Sequence, residues 1–375
     1  MRVDVHRLSM RHPGDLSELH GLVAAGLLDP RTVVAVIGKT EGNGGVNDFT
    51  RGYFTQSLML ALSSLTGEPV DSLLRRVPCV LSGGTEGVLS PHYLVFARVD
   101  APAPPADAPA ALAIGVAMSE PVLPEDIGRA SHIRNVAATV RAAMADARIA
   151  SPADVHFVQV KCPTVTVAGA QQAAARNRTV VAADPNRAMG YSRVAGAFGA
   201  GIALGELDED ADALAAAALA DFRYYSSKAG ISSGIEPHCN EVIVLGMSRA
   251  WSGPLRIACK PMRDALDIGA VHAACSELGL ETRQHQLTPQ AAARVAGVLV
   301  KCEPDRRGLV RGQRHTMLDD TDINAQRHIR GAVGGLVAGV LGDTRLFVSG
   351  GAEHQGPDGG GLIAVIASQA QGAAA

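Results

Sequence analysis

The chain has 375 residues, 47% of them hydrophobic and 19% charged, so it can bury a core large enough for two or three units. A net charge of -3 and an aromatic content of 3% argue against the basic surface and stacking platforms that nucleic-acid binding needs. Six cysteines without a CxxC pair exclude a zinc knuckle or a thioredoxin-like motif. The longest lipid-like stretch, GAVGGLVAGVLG at 331–342, is too short for a membrane span, and the opening MRVDVHRLSM alternates like a strand rather than a leader. A reducing cytoplasm is the expected compartment.

Taken in chain order, the predicted elements repeat. A strand at 3–10 is followed by a second ending VVAVIGK at Lys39, Arg51 in a helical region, CVLSGGTE with Ser82, and a closing strand YLVFAR. The Pro/Ala-rich stretch 100–110 cannot join a central strand and reads as a linker. A strand at 112–119 and the helix IRNVAATVRAAMADA follow. Then come VHFVQVK to Lys161, Arg193, GISSGIE with Ser232, and EVIVLG. After a break at 248–254, a strand at 255–262, the helix VHAACSELG, VAGVLVK to Lys301, Arg330, LFVSGGAE with Ser349 and LIAVIA complete a third copy. The expected fold is therefore α/β: three pseudo-threefold-related units, at 1–103, 111–250 and 255–375, around one central axis. Glycines interleaved with apolar residues after Arg193 and Arg330 read as helices in close approach, since each glycine otherwise costs a helix about 1 kcal/mol; a flexible loop is the other reading.

A lysine ending an apolar strand is costly to bury unless its charge is used, and three at equivalent positions mark a shared polar centre. Desolvation and cationic neighbours would lower the pKa of such a lysine and let it activate a serine hydroxyl. Glycines beside Ser82 and Ser349, with Gly84, Gly234 and Gly351 one further on, permit positive φ and expose N–H groups to an oxyanion, an ordinary glycine-rich turn being the other reading. Glu86, Glu236 and Glu353 hold one offset in each copy, suited either to orienting the lysines by ion pairing or to capping a turn. IGKTEG lacks the earlier glycine of a phosphate loop, and GPDGGG is not set between a strand and a helix. The twelve histidines show no zinc spacing. Strand alternation turns Cys162 and Cys302 away from the face their neighbouring lysines use, as packing residues. The repeats alone do not say which serine attacks.

Long motifs in fixed order are similar to the cyanuric acid hydrolase/barbiturase family: GKTEGNGGVNDFTR, LSGGTEGVLSPH, HFVQVKCP, MGYSR, VRGQRHTMLDDTDIN and VSGGAEHQGPDGGG. The resemblance runs nearly end to end. It implies a three-sided, Toblerone-like arrangement of three α/β units, an axial active site, a homotetramer, and hydrolytic opening of a cyclic ureide without a catalytic metal or other cofactor. It places nucleophile and base in the middle unit, at Ser232 and Lys161. Arg51, Ser82, Gly83, Arg193, Ser233, Arg330, Ser349 and Gly350 would bind substrate, with Lys39 and Lys301 completing the other dyads. A structural divalent cation, Mg²⁺ or Ca²⁺, is implied at Glu303, Ala352, Gln355, Gly356, Pro357 and Gly360. Cyanuric acid, with three N–C=O units at 120°, suits a threefold site. Barbituric acid is the alternative substrate, and a non-catalytic anion-binding protein the alternative class.

Overall fold

The computed structural model describes residues 1–105, 107–208 and 210–370. The first third runs β1 (Arg2–Ser9), α1 (Ser17–Ala24), β2 (Val33–Thr40), α2 (Phe49–Thr66), α3 (Val70–Arg76), β3 (Cys79–Gly83) and β4 (His92–Val99). The second runs β5 (Ala111–Met118), α4 (Ala130–Asp146), β6 (Val155–Pro163), α5 (Val167–Ala175), α6 (Pro185–Ala203), α7 (Ala211–Ala217), β7 (Ala229–Gly234) and β8 (Glu241–Ser248). The third opens with β9 (Leu255–Met262), α8 (Ile268–Glu277), β10 (Thr282–Arg283), β11 (Gln286–Leu287), α9 (Pro289–Ala293) and β12 (Val295–Cys302). It closes with β13 (Leu309–Val310), β14 (Gln313–Arg314), α10 (Ala325–Leu341), β15 (Phe347–Ser349) and β16 (Gly361–Ser368). Two small hairpins, β10–β11 and β13–β14, are additions of the third copy that the sequence pattern did not reveal.

Each third forms a four-stranded sheet of one topology: β1-β4-β2-β3, β5-β8-β6-β7 and β9-β16-β12-β15. The closing strand lies between the first and second, antiparallel to both, while the second and third strands run parallel. Residues two apart share a face, so every sheet has one helix-covered face and one central face. Ala35 and Ile37 of β2 join a core shared by all three thirds, as do Leu299 of β12 and Phe347 of β15. Val36 faces the helices of the first third, and Val300 and Cys302 face those of the last. Lys39 has the parity of Ile37, and Lys301 that of Leu299. The lysines accordingly continue the central row, and Cys302 is turned away to pack with the helices.

The helices that carry the arginines start at side-chain caps. Asp48 caps α2 through the Thr50 N–H, Asp184 caps α6 through Arg187, and Asn324 caps α10 through Gln326. Close approach explains some of the helical glycines. A Cβ at Gly199 would lie 2.6 Å from the Ile133 carbonyl oxygen and 2.7 Å from Val136 Cβ of α4, and one at Gly334 would lie 2.9 Å from Leu89. Gly335 and Gly339 differ, since among the described residues nothing lies within 4 Å of a Cβ there. Replacing Gly199 with Val should therefore force α6 from α4 and cost about 2 kcal/mol of stability, read as a lower denaturation midpoint with an unchanged m-value. Gly339→Ala should not lower it.

Candidate active site

The parallel pairing of second and third strands sets Lys39 opposite Ser82, Lys161 opposite Ser232, and Lys301 opposite Ser349. One register therefore builds three Lys–Ser pairs at the strand ends, on the central faces. Their states differ. Lys301 Nζ donates to Ser349 Oγ at 2.9 Å, to the Gly350 carbonyl at 2.8 Å, and across the axis to the Ile231 carbonyl at 2.7 Å. All three ammonium protons are committed. Lys39 Nζ donates to Ser82 Oγ and the Gly83 carbonyl, each at 3.2 Å. Lys161 is held loosely, with the Leu81 carbonyl at 3.5 Å and Glu236 at 3.6 Å, and among the described residues the buried Ser232 hydroxyl has no hydrogen-bond partner.

Burial depresses all three lysines. Lys301 is pushed down to about 7, with Arg193 adding to the effect, and Lys39 falls well below the usual range through burial and Arg330. Lys161 falls too, although Glu236 opposes the desolvation. Each lysine is thus drawn toward the neutral form a general base requires.

The glutamates pair mainly with arginines of neighbouring thirds, in a closed ring. Glu236 accepts from Arg51 Nε, Glu353 from Arg193 at 2.6 and 2.7 Å, and Glu86 from Arg330 at 2.6 and 2.9 Å. Burial alone would push the Glu86 carboxyl up, but Arg330 outweighs it and holds it below the usual range; Arg193 does the same for Glu353. Among the described residues, the expected ion pairing with a lysine is seen for Glu236 alone, with Lys161 at 3.6 Å. The main partner of all three glutamates is an arginine of another third.

Arg51, Ser82, Gly83, Lys161, Arg193, Ser232, Ser233, Arg330, Ser349 and Gly350 line one central chamber of about 40 Å³, together with Gly44, Leu81 and Met189. Lys39 and Lys301, both 0% exposed, sit behind their serines, whereas Lys161 reaches the chamber wall at 4%. The chamber shares Gly44, Met189, Arg193, Arg330 and Gly350 with an outer vestibule of about 480 Å³, to which Asn43, Asp322, Asn324, Gln326 and Arg327 contribute.

Three residues that brace this site, Asp48, Met189 and Gln326, were among those given no role from sequence. Asp48 accepts from the Gly44 N–H and Arg51, Gln326 accepts from the Gly351 N–H at 2.6 Å, and the Met189 carbonyl accepts from Ser233 Oγ at 3.0 Å. They occupy offsets three or four before each arginine, where the copies diverge. That divergence explains Ser233. A Cβ at Gly83 would meet Asp48 Cγ at 2.9 Å and one at Gly350 would meet Gln326 Oε1 at 2.7 Å, so only the middle copy has room for a serine.

The residues expected to hold a cation gather where Glu303, just after β12, meets the turn after Ser349. Glu303 is 4% exposed, and burial with the adjacent Glu353 pushes its carboxyl up. Its N–H bonds the Gly360 carbonyl at 3.2 Å, and Gly360 in turn donates to the Pro357 carbonyl at 3.0 Å. Gln355 donates to the Gly351 carbonyl at 3.0 Å and accepts from the Ile231 N–H at 2.7 Å; its N–H bonds the Ala352 carbonyl at 2.9 Å. Gly356 turns at φ +86°. Among the described residues no three His, Cys, Asp or Glu side chains cluster as a metal site. Nor is any described helix long and apolar enough to cross a membrane.

A serine hydroxyl without a partner among the described residues, opposite a neutralisable lysine in a chamber lined by guanidinium groups, is equipment for nucleophilic attack on a polarised carbonyl, the work of an amide hydrolase. The sequence pattern of the amidohydrolase ring-opening protein family matches residues 4–368. A cyanuric acid amidohydrolase of Azorhizobium caulinodans is 49% identical over 370 residues, covering 98% of this chain and 99% of the relative. One from Bradyrhizobium sp. (strain ORS 375) is 48% identical over 97% of each. A solved cyanuric acid hydrolase, described as an innovation by structural concatenation, superposes with a TM-score of 0.93 at 44% identity, covering 98% of this chain and 99% of that one. The A. caulinodans crystal structure gives 0.89 at 48%, covering 99% of each. The chain belongs to the amidohydrolase ring-opening protein family and is an enzyme.

The ring of ion pairs makes a specific demand. Arg330→Ala would leave the Glu86 carboxylate with Arg327 as its remaining guanidinium partner, and should cost about 2 kcal/mol in urea or guanidinium unfolding. Arg330→Lys should recover only part of that loss, because one ammonium cannot reproduce the two-nitrogen contact.

Proposed function

We propose that this enzyme hydrolyses cyanuric acid, with Ser232 as nucleophile and Lys161 as its base. Lys161 takes the Ser232 proton, and the Oγ attacks a ring carbonyl polarised by the surrounding hydroxyl and guanidinium groups. The ring C–N bond then breaks, and the proton passes from Lys161 to the departing nitrogen. Water, deprotonated in turn by Lys161, releases the acyl group from Ser232 as carboxybiuret, which loses carbon dioxide to give biuret. The observation that carries the assignment is the asymmetry of the three pairs. Lys301 and Lys39 hold their serines in hydrogen bonds, while Ser232 has no partner among the described residues and Lys161 makes only long contacts at the chamber wall. Three arginines around an acidic ring with three equivalent edges give recognition a threefold basis. The named relatives act on the same compound.

The turn after Ser349 is proposed to hold a structural Mg²⁺ or Ca²⁺. One carboxylate, Glu303, with the carbonyls of Ala352, Gly356, Pro357 and Gly360 and the amide of Gln355, is an oxygen donor set suited to a hard ion. The buried and weakly compensated Glu303 carboxylate supports that fit. The ion would brace the turn carrying Glu353, the partner of Arg193, and take no chemical step. A homotetramer is proposed as well. The exposed Phe49, Tyr53 and Leu60 stripe on α2 offers apolar surface for assembly, which light scattering would measure.

Purified enzyme given cyanuric and barbituric acids should yield biuret from the first and little product from the second. Ser232→Ala and Lys161→Ala should each lower kcat by about 10³-fold or more, while Ser82→Ala and Ser349→Ala retain measurable turnover. Full activity in Ser232→Ala would move the nucleophile to another serine, and turnover of neither ring would leave an anion-binding protein. Separately, millimolar Mg²⁺ or Ca²⁺ should raise the thermal midpoint of chelator-treated wild type by about 3 °C or more, and Glu303→Gln should abolish the shift.

A further inference from the structure

A second cavity, of about 90 Å³, shares Arg51, Leu81 and Lys161 with the central chamber. Beyond those residues it is walled by side chains of α2 and α3, by Cys79, and by Glu236 and Glu241. Glu241 stands directly opposite Lys161 in the antiparallel ladder between β6 and β8, and directly opposed residues in such a ladder project to the same face. Its Oε2 also accepts from the Cys79 N–H at 3.2 Å, which ties it to the third strand of the neighbouring unit.

The equivalent ladder positions are not carboxylates. His92 stands opposite Lys39, and Leu362 opposite Lys301. His92 is fully buried and pushed down to about 4, so it is neutral, and Leu362 is apolar. Among the described residues, the middle lysine is the one that faces a carboxylate across its own sheet. The acid appears only behind the lysine that lines the substrate chamber.

We propose that Glu241 is a positioning residue for Lys161, acting from the cavity behind it to set the charge the lysine faces and the place its ammonium occupies. The inference rests on Lys161 being the base. Four elements present groups to that lysine: Arg51 from α2, Glu236 from the turn after β7, Glu241 from β8, and the Cys79 thiol from β3. Burial holds Cys79 up at about 12 and Cys239, which also faces Glu241, at about 11, so both stay thiols. Burial pushes Glu241 itself up to about 7, with Glu236 adding to the rise, so it ionises near neutrality. An ionised Glu241 adds to Glu236 in favouring the protonated lysine and makes it a stronger base; a neutral one leaves Glu236 alone to oppose desolvation and Arg51. Because Glu241 is absent from the chamber lining, it acts through Lys161 and not on the substrate.

The test compares the pH dependence of kcat and kcat/KM in wild type, Glu241→Gln, Glu241→Leu and Glu241→Asp, with folding checked by circular dichroism. Loss of the carboxylate should move the acidic limb of kcat/KM to lower pH by about one unit, because Lys161 loses a group that favours its charged form. The plateau kcat should fall about tenfold through weaker base strength, with KM changed less than about twofold. Glu241→Asp should return the limb toward wild type. A purely structural role would lower the active fraction without moving the limb. Should Glu241→Gln fail to fold, Glu241→Leu, which copies the packing at Leu362, carries the same readout. Lys161→Ala separates the two claims. If it is inactive while the limb stays fixed in a folded Glu241 variant, this inference is wrong and the base assignment stands; if Lys161→Ala retains full activity, the base assignment itself falls.

Discussion

Three ammonium and three guanidinium groups cannot share one buried axis unless carboxylates offset them, and the ring of Arg–Glu pairs supplies that offset. Each arginine is neutralised by a glutamate from another third, so the guanidinium groups add little net charge to the centre. The lysines are left as the groups whose charge can vary. Desolvation lowers their pKa values and draws residues that in water would stay protonated toward the neutral form. The pairs also fix the geometry. A two-nitrogen contact between Arg193 and Glu353 or Arg330 and Glu86 admits little rotation, and each crosses a boundary between units, so the thirds are held in one orientation.

Within this near-symmetric frame, small departures give one position its chemistry. The first and last serines are held by their lysines, and among the described residues the middle serine has no hydrogen-bond partner. Asp48 and Gln326 fill space that in the middle copy remains open for Ser233. A threefold cage can hold a threefold guest, but attack happens at one carbonyl at a time. In the proposed reaction the frame would recognise the ring, and the asymmetry would decide where attack begins.

Much of this was legible in the sequence because it follows from period two. A lysine that ends an apolar strand continues the row of alternate residues, and a serine at the end of a parallel neighbour must meet it; the repetition made both readable. The same alternation placed Cys302 among helix-facing residues. The glutamate partners were not readable. Arg51 meets Glu236 across 185 residues, Arg193 meets Glu353 across 160, and Arg330 meets Glu86 across 244, and the sequence does not encode which third follows which around the axis. The position of Glu241 was hidden for a related reason. The closing strand lies between the first and second, an order that chain sequence does not reveal, so a residue at the start of β8 could not be set opposite Lys161 in advance.

The cyclic handing of each glutamate to the next third has an ancestral reading. Head-to-tail contacts of this kind are what a closed trimer of identical chains would use, each subunit lending an acid to its neighbour. Identical subunits, however, must carry identical residues, so no single one could acquire a free serine or an acid behind its lysine without all three doing so. Joining the copies end to end removes that constraint. A peptide linker, such as the proline-rich stretch after β4, would then be the change that let a symmetric binder specialise one of its three corners.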